Sequence, residues 1–330
     1  MSGRVLITGC NGFLGAHLME GARARGIDAI GLHRGARSEG PGERVSIDLL
    51  DDARSTRLAE VLSSVDSVIH AAAAVRLFGR RGSVVAENTT STARLLEVAA
   101  ASGAPKVVFL SSASVLFRPQ DQILMGEDTH LPRRFLSDYS ASKARCEELI
   151  GGYPGPAVIL RPQGVLGPGD RVILPPLLEA ARAGRMVWVG APGVAQADLL
   201  SVDNLVEWTL RASQERGSEG LLHLSDGTPR GVEELVRTVL ARLGFEPVER
   251  RIPRPLALAF ASAIELPLRL VAPRREPPLT RFAVETFART RTLDITRVRN
   301  RLGEPLVSFD EGLERMVAFH ASAGRSHQYE

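Results

Sequence analysis

An apolar run that stops dead on three glycines sets the terms for this chain. Arg4-Val-Leu-Ile-Thr8 reads as a short buried strand, and Gly9, Gly12 and Gly15 follow at once in Thr8-Gly-Cys-Asn-Gly-Phe-Leu-Gly15. A helical pattern then continues through Leu18 and Ala22 towards Arg25. Strand, glycine turn and helix in this order make a cradle in which the backbone can approach a dinucleotide pyrophosphate and hold it at the helix N-terminus. The spacing is G-x-x-G-x-x-G rather than G-x-G-x-x-G, so the strand–helix context, not the glycines alone, gives it weight. Asn11, Phe13 and Leu14, between the glycines, belong to the same candidate cofactor cradle.

The rest of the chain repeats the alternation of strand and helix that builds α/β folds. Strands are expected over 28–32, 45–49, 66–70, 106–110 and 157–160, and helices over 82–101, from Tyr139 onward, and over 174–183. Residues 118–136, rich in charge and proline, read as a loop. Glycine and proline crowd Arg161-Pro-Gln-Gly-Val-Leu-Gly-Pro-Gly-Asp170 and place the exit to a second lobe near residue 161. The expected fold is α/β: a Rossmann-type doubly wound parallel sheet over 1–160, with 194–224 returning to it, and a smaller, mixed substrate lobe over 161–330. Short strands are expected at 186–189 and 197–201, with a helix opening at Val202. Past residue 225 the elements read as irregular, and 321–330 as a frayed tail.

Composition narrows the class. At 330 residues, 44% of them hydrophobic and 24% charged, the chain can bury a large core. The formal charge is only +3, with no long basic run and little aromatic interleaving, which excludes nucleic acid as an expected partner. Cys10 and Cys146 make neither a metal spacing nor a disulfide framework, so no metal is expected. The first residues run straight into a strand pattern without a secretory leader, and no stretch of about 18 uncharged apolar residues exists. The expected location is the cytoplasm.

The chemistry concentrates in Tyr139-Ser-Ala-Ser-Lys143. A tyrosine and a lysine four apart share one helix face. An ammonium beside a phenol favours the phenolate, which suits a general acid/base acting on an alcohol or ketone. Only two lysines, Lys106 and Lys143, occur among 41 basic residues, so a lysine kept here points to a compact charge that arginine cannot supply. Ser111-Ser-Ala-Ser114 closes the fifth strand, where polar residues face the ligand crevice of such a sheet.

Other positions bear on the cofactor. An acid after the second strand would hold the adenosine ribose and favour NAD; here the position is His33, with Arg34 and Arg37 after it, which could pair the 2′-phosphate of NADP. Val45-Ser-Ile-Asp48-Leu49 ends in an acid. Ala71, Ala72 and Ala73 after the fourth strand let a cofactor lie close to the backbone, and Asn88 falls near the start of a helix. A later stretch, 255–271, is dense in aliphatic residues but broken by Glu265, Pro267 and Arg269. Pro277, Pro278, Phe282 and Phe287 follow. The run is too interrupted to span a bilayer, and reads as the wall or lid of an apolar pocket, an interfacial helix, or core packing; residues 255–287 are expected to line or cover an apolar pocket beside the nicotinamide.

These residues together resemble the extended short-chain dehydrogenases/reductases. The resemblance rests on Thr8-Gly-x-x-Gly-x-x-Gly15, Asp48, His70-Ala-Ala, Asn88, Ser111-Ser112, Tyr139-x-x-x-Lys143 and Arg161-Pro162. Within the family the chain looks most like the 3β-hydroxysteroid dehydrogenase branch with its bacterial 2-alkyl-3-oxoalkanoate reductases, through 160–170, Ser201-Val-Asp-Asn-Leu205, Pro277-Pro-Leu-Thr-Arg-Phe282 and Leu293-Asp-Ile-Thr-Arg297. The resemblance implies that Tyr139 is the acid/base, that Lys143 lowers its pKa and holds the nicotinamide ribose, and that Ser112, with Ser111 as the alternative, hydrogen-bonds the substrate oxygen. It implies Gly9, Gly12 and Gly15 at the pyrophosphate, Asp48 and Leu49 at the adenine, and Pro162 at the nicotinamide. His33 in place of an acid favours NADP over NAD, and Leu116-Phe117 departs from the tyrosine-glycine of sugar-nucleotide epimerases. The expected activity is therefore an NADPH-dependent ketoreductase for a large apolar ketone or alcohol. A nucleotide-sugar epimerase or dehydratase, for which Arg171 and Arg281 speak, and a non-catalytic NADP-binding regulator are the alternatives. A homodimer and peripheral membrane contact through 255–271 are further expectations.

Overall fold

Short strands of branched apolar residues buried on both faces build a parallel sheet, because helices must cover each side of it. The computed structural model describes residues 3–35, 40–51, 53, 55–76, 78–80, 82–215, 219–272, 277 and 279–326. Its main sheet has seven parallel strands: β1 Val5–Thr8, β2 Ala29–His33, β3 Glu43–Ser46, β4 Ser67–His70, β5 Lys106–Leu110, β6 Ala157–Pro162 and β7 Gly220–Leu224. The strand order is β7-β6-β5-β4-β1-β2-β3. Every residue of β1, β4 and β5 is buried. Helix α1 (Phe13–Ala24) packs with a later helix on one face, while α2 (Ser55–Leu62), α3 (Ser83–Ala101) and α4 (Asp138–Gly151) cover the other. Strand order reverses between β1 and β4, and ligands of such sheets bind at that switch point, outside the carboxyl ends of the strands.

After β6 the chain forms α5 (Leu174–Arg182), then α6 (Val202–Gln214), which packs on α1, and β7, which adds the last strand to the sheet. The structure departs from the sequence reading at four places. The supposed loop at 118–136 contains a strand, Gln122–Met125, which pairs with Arg291–Leu293 in a small four-stranded sheet completed by Gln196–Ala197 and Arg230–Gly231. Its middle residues, Ile123 and Leu124, point to solvent, so no alternation marks it. The third strand ends at Ser46, before Asp48. Past residue 225 the chain is largely helical: α7 (Val232–Arg242), α8 (Arg254–Val271), α9 (Arg281–Phe287), α10 (Thr296–Leu302) and α11 (Phe309–Ser326). The supposed tail is helical through residue 326, because α11 starts from a face that buries Phe309, Leu313 and Met316 against α5 and α7.

Helix α8 is built inside out. Its exposed positions are Pro255, Leu256, Ala259, Phe260, Ala263, Leu266, Pro267, Leu270 and Val271, all apolar. Its polar residues turn inward. Arg254 pairs with Glu285 at 2.8 Å, and Arg269 lies over the Phe78 ring, its guanidinium 5.0 Å from the ring centroid.

Candidate active site

The glycine turn can be tested by adding what it lacks. Gly9 has φ +71°, a conformation that side chains disfavour, and a Cβ there would stand 2.8 Å from Ala72 Cα. A Cβ on Gly15 would stand 2.1 Å from the Gly9 carbonyl oxygen. The turn thus presses α1 and the 71–72 backbone together. Gly12 at the N-cap supplies no side-chain acceptor, and no acid sits in the first turn of α1, so its leading N–H groups point out unneutralised. That is what a pyrophosphate requires, and these residues fit a dinucleotide.

The neighbouring loop is held rigid from behind. His70 is fully buried, with Nδ1 hydrogen-bonded to Thr8 Oγ1 (2.8 Å) and Nε2 to Thr92 Oγ1 (3.0 Å). Burial, helped by Lys143, pulls its pKa down to about 3, so it is a neutral strut. Thr8 Oγ1 also accepts from Ala72 N (3.0 Å). Asn88 accepts from Ala74 N (2.7 Å) and donates to Ser142 Oγ (2.9 Å), clamping the 71–74 backbone to α4.

Helix α4 begins at Ser137, whose Oγ accepts from Ser140 N at 3.1 Å. Tyr139, Lys143 and Glu147 then fall on one inward stripe. Lys143 is buried, its Nζ donating to the Leu110 carbonyl (2.6 Å) and lying 4.7 Å from the Phe109 ring centroid and 6.0 Å from that of Tyr139. Burial brings its pKa down to about 8, against the raising influence of Cys146 and Glu147. The sequence argument expected lysine to depress the tyrosine pKa. In the structure burial prevails and pushes the Tyr139 phenol up to about 12, with the hydrogen bond from Ser112 pulling the other way.

The two adjacent serines separate by partner. Ser111 donates to Glu147, which also binds Arg161 through two hydrogen bonds, Nε at 2.8 Å and Nη2 at 2.6 Å. Ser112 is partly open, sits 2.9 Å from Ser114 Oγ, and is the serine that reaches the phenol.

A cleft of about 390 Å³ joins these parts. Gly9, Gly12, Phe13, Leu14, Gly15, Ala71, Ala73, Ser111, Ser112, Tyr139 and Pro162 line it. Lys143 stands behind the phenol. Asn11, His33, Arg34, Asp48, Leu49, Ala72 and Asn88 do not line it, and Arg37 lies outside the described residues. Asp48 accepts from Leu50 N in a turn (3.0 Å), and Leu49 is core. Arg34 is exposed and paired with Glu87 at 2.9 Å. The outer wall is apolar: Leu174 and Leu177 from α5, Leu235, Val236, Val239 and Leu240 from α7, Phe282 and Phe287 from α9. Of the 255–287 stretch expected to line or cover the pocket, Phe282, Ala283, Thr286 and Phe287 do line it, whereas no residue of 255–271 does; α8 stands one layer out, packed on α9. The charged residues on the wall are engaged. Asp170 accepts from Val172 N and Leu174 N (2.8 and 2.7 Å), Arg230 pairs with Asp310 (3.0 Å), and Arg291 donates to Gln122 Oε1 (2.9 Å) and to the carbonyls of Arg118 and Glu285 (both 2.9 Å).

One arginine beside the glycine turn was not singled out from the sequence. Arg44 of β3 runs across β2 at Gly31, where a Cβ would stand 3.3 Å from its Cγ, and donates to Asn11 Oδ1 at 2.9 Å. Its guanidinium lies between the glycine turn and Pro41, whose carbonyl it also touches (3.4 Å). A Cβ at Gly31 would meet Cys10 first, its Sγ at 2.8 Å, and the Arg44 stem next, so the glycine makes room for the turn and for the arginine beside it.

A switch-point cleft joining an uncapped glycine turn to a serine–tyrosine–lysine group defines a nicotinamide-dependent α/β oxidoreductase. The chain belongs to the NAD dependent epimerase/dehydratase family, whose model matches residues 5–221, within the extended short-chain dehydrogenases/reductases. It is 28% identical to a 2-alkyl-3-oxoalkanoate reductase of Shewanella oneidensis over 94% of this chain and 85% of that protein. It is 29% identical to a 4-hydroxy-2-methyl-3-oxo-4-farnesyl-3,4-dihydroquinoline-1-oxide ketoreductase of Stigmatella aurantiaca, over 95% of each. Among solved structures, MoeE5 in complex with UDP-glucose and NAD superposes with TM-score 0.73 and 25% identity, covering 97% of this chain and 99% of that one.

Proposed function

We propose that the chain is an NADPH-dependent ketoreductase for a large apolar ketone of the 3-oxo-fatty-acid or sterol kind. The observation that carries this reading is the outer cleft wall. Beyond Ser112 and Tyr139 it is mainly aliphatic and aromatic, and its charged side chains are already engaged with the protein. When bound, the reduced nicotinamide supplies the hydride. Tyr139 gives its proton to the carbonyl oxygen, and a phenol held at about 12 is in the proton-bearing form that reduction needs. Ser112 hydrogen-bonds the same oxygen and fixes its position. Lys143, behind the ring, balances the charge left on Tyr139. For the 2′-phosphate of NADPH the residue we assign is Arg44, since Arg34 is held by Glu87.

The nucleotide-sugar alternative draws on solved relatives such as MoeE5, bound to UDP-glucose and NAD. A sugar diphosphate calls for free cations, yet Arg171 and Arg281 do not line the cleft, and the arginines that do, Arg230 and Arg291, are held by Asp310 and by Gln122 with the Arg118 and Glu285 carbonyls. A non-catalytic regulator would not need the intact Ser112, Tyr139 and Lys143 group. The test is NADPH oxidation against a panel of ketones, sterols and sugar nucleotides, followed by a 3-oxo ester series of growing chain length. Each added methylene is expected to raise kcat/KM about fourfold until the cleft is full, from ~0.8 kcal/mol of burial. A flat series, or turnover of sugar nucleotides alone, overturns the reading.

A further inference from the structure

We propose that α8 seats the protein on an anionic lipid surface, lying flat with its outer face among the acyl chains. The argument starts from where α8 spends its polar groups. Arg254 faces Glu285, Arg269 faces Asp138 and Glu265, and Ser262 Oγ donates to its own helix at Leu258 O (2.7 Å). What remains outside is Leu256, Phe260, Leu266, Leu270 and Val271, between 51% and 81% exposed. With Ala259, Ala263 and Pro267 between them they form a face that recurs every three or four residues, a stripe of ~22 Å from Leu256 to Val271 along an 18-residue helix. A continuous apolar stripe of this kind marks a surface that something covers.

Two observations choose lipid over protein. Protein interfaces carry a polar rim around their apolar centre. The stripe here is flanked by Leu258, Ile264 and Leu268, and the polar residues beside it are already spent within the chain, Ser262 on Leu258 O and Arg269 on Asp138 and Glu265, so its edges leave few side-chain hydrogen bonds to offer; acyl chains ask for none. Charge is the second. Arg250 precedes the helix, and Arg281 is tied to it through its backbone N–H on Glu265 (2.6 Å). Both are exposed and, among the described residues, neither is in an ion pair, although Arg250 Nη1 also reaches the Gly184 carbonyl at 3.4 Å, so their charge is free for anionic headgroups near an embedded stripe. The face also runs towards the cleft: α8 packs on α9, whose Phe287 is exposed and lines the cleft. A bilayer-dissolved ketone would then meet the cleft rim without crossing water. Among the described residues no helix is long and apolar enough to cross a membrane, consistent with a helix that lies along the surface.

The experiment is sedimentation of the full chain with vesicles of phosphatidylcholine alone or mixed with phosphatidylglycerol. It is repeated with the triple variant Leu256→Gln/Phe260→Gln/Leu266→Gln and with Arg250→Gln/Arg281→Gln. The wild type is expected to pellet with the mixed vesicles. The triple variant should lose about tenfold or more of that binding, and the arginine variant should lose the preference for phosphatidylglycerol. NADPH affinity, measured on each protein, should not change, which separates lost docking from lost folding. Equal pelleting of wild type and triple variant overturns the proposal. So does a wild-type dimer in sedimentation velocity that the triple variant dissolves while vesicles bind neither, which would give the face to a second copy. Vesicle binding is read without turnover, so its failure and that of the ketoreductase reading are separate results.

Discussion

Helices α4 and α8 break the same rule in opposite directions. A water-facing helix ordinarily buries its apolar stripe and exposes its polar one. Helix α4 buries Lys143, Glu147 and three hydroxyls, Ser137, Ser140 and Ser142, counting its cap, and α8 presents leucines and a phenylalanine to solvent. Each departure costs stability; the first lies beside the candidate cofactor site, and the second is the face proposed above to meet lipid. The buried polar stripe is tolerable because each group finds a partner: Lys143 on Leu110 O, Glu147 on Arg161 and Ser111, Ser142 on Asn88. The exposed apolar stripe has no partner within the described chain.

The contrast can be tested residue by residue. On α4, Tyr139→Phe should lower kcat about 10²–10⁴-fold while NADPH affinity stays near the wild-type value, since the phenolic proton is used only in the reaction. A near-wild-type kcat would remove Tyr139 from its role. Glu147→Ala leaves Arg161 buried without its carboxylate and should cost about 3–5 kcal/mol in denaturant unfolding. A loss below about 1 kcal/mol would mean that the α4 stripe is dispensable to the fold.

His70 behind α4 gives a pH signature. The unfolded histidine takes up a proton below about 6.5, and the folded one only near pH 3. The unfolded state therefore binds more protons between those limits, and stability falls as pH drops through that window. At about pH 4 the loss should be about 3 kcal/mol, and His70→Asn should flatten that part of the profile. Arg44→Ala should weaken NADPH by on the order of 1.5–3 kcal/mol and leave NADH unchanged, whereas Arg34→Ala should do much less. Equal affinity of the wild type for both nucleotides would refute the NADPH assignment. The smallest effect belongs to α8: Leu266→Gln should shift stability by less than about 0.5 kcal/mol, because its side chain packs against little. A loss of several kcal/mol there would erase the contrast between the two helices.

Much of this was legible before any coordinates. Strands β1, β4, β5 and β6 announce themselves because buried parallel strands are short runs of branched residues, and the glycine turn and Tyr139–Lys143 pair depend on local spacing alone. What stayed hidden depends on residues far apart. Ser112 was put ahead of Ser111 only by resemblance, and the physical difference between them, the Ser111 bond to Glu147, joins residues 36 positions apart. Arg44 looked like any strand arginine until it crossed Gly31 to Asn11. The 255–271 run was read by composition, which says that a segment is apolar but not which way it faces. Nor could sequence weigh burial against charge at Tyr139, where the phenol moves up rather than down.

The strand Gln122–Met125 has a consequence in time. Its neighbour begins at Arg291, 169 residues downstream of Gln122. At about 5–20 residues per second of synthesis, the Gln122 strand waits on the order of ten seconds or more for its neighbour to leave the ribosome. Through that interval its ladder groups are open on the side that Arg291–Leu293 later covers, with Ile123 and Leu124 beside them, which is the profile of a segment that pairs with the wrong chain. The half-made protein is therefore open to mispairing at this point, and a holding chaperone that recognises short extended apolar segments would have a target there.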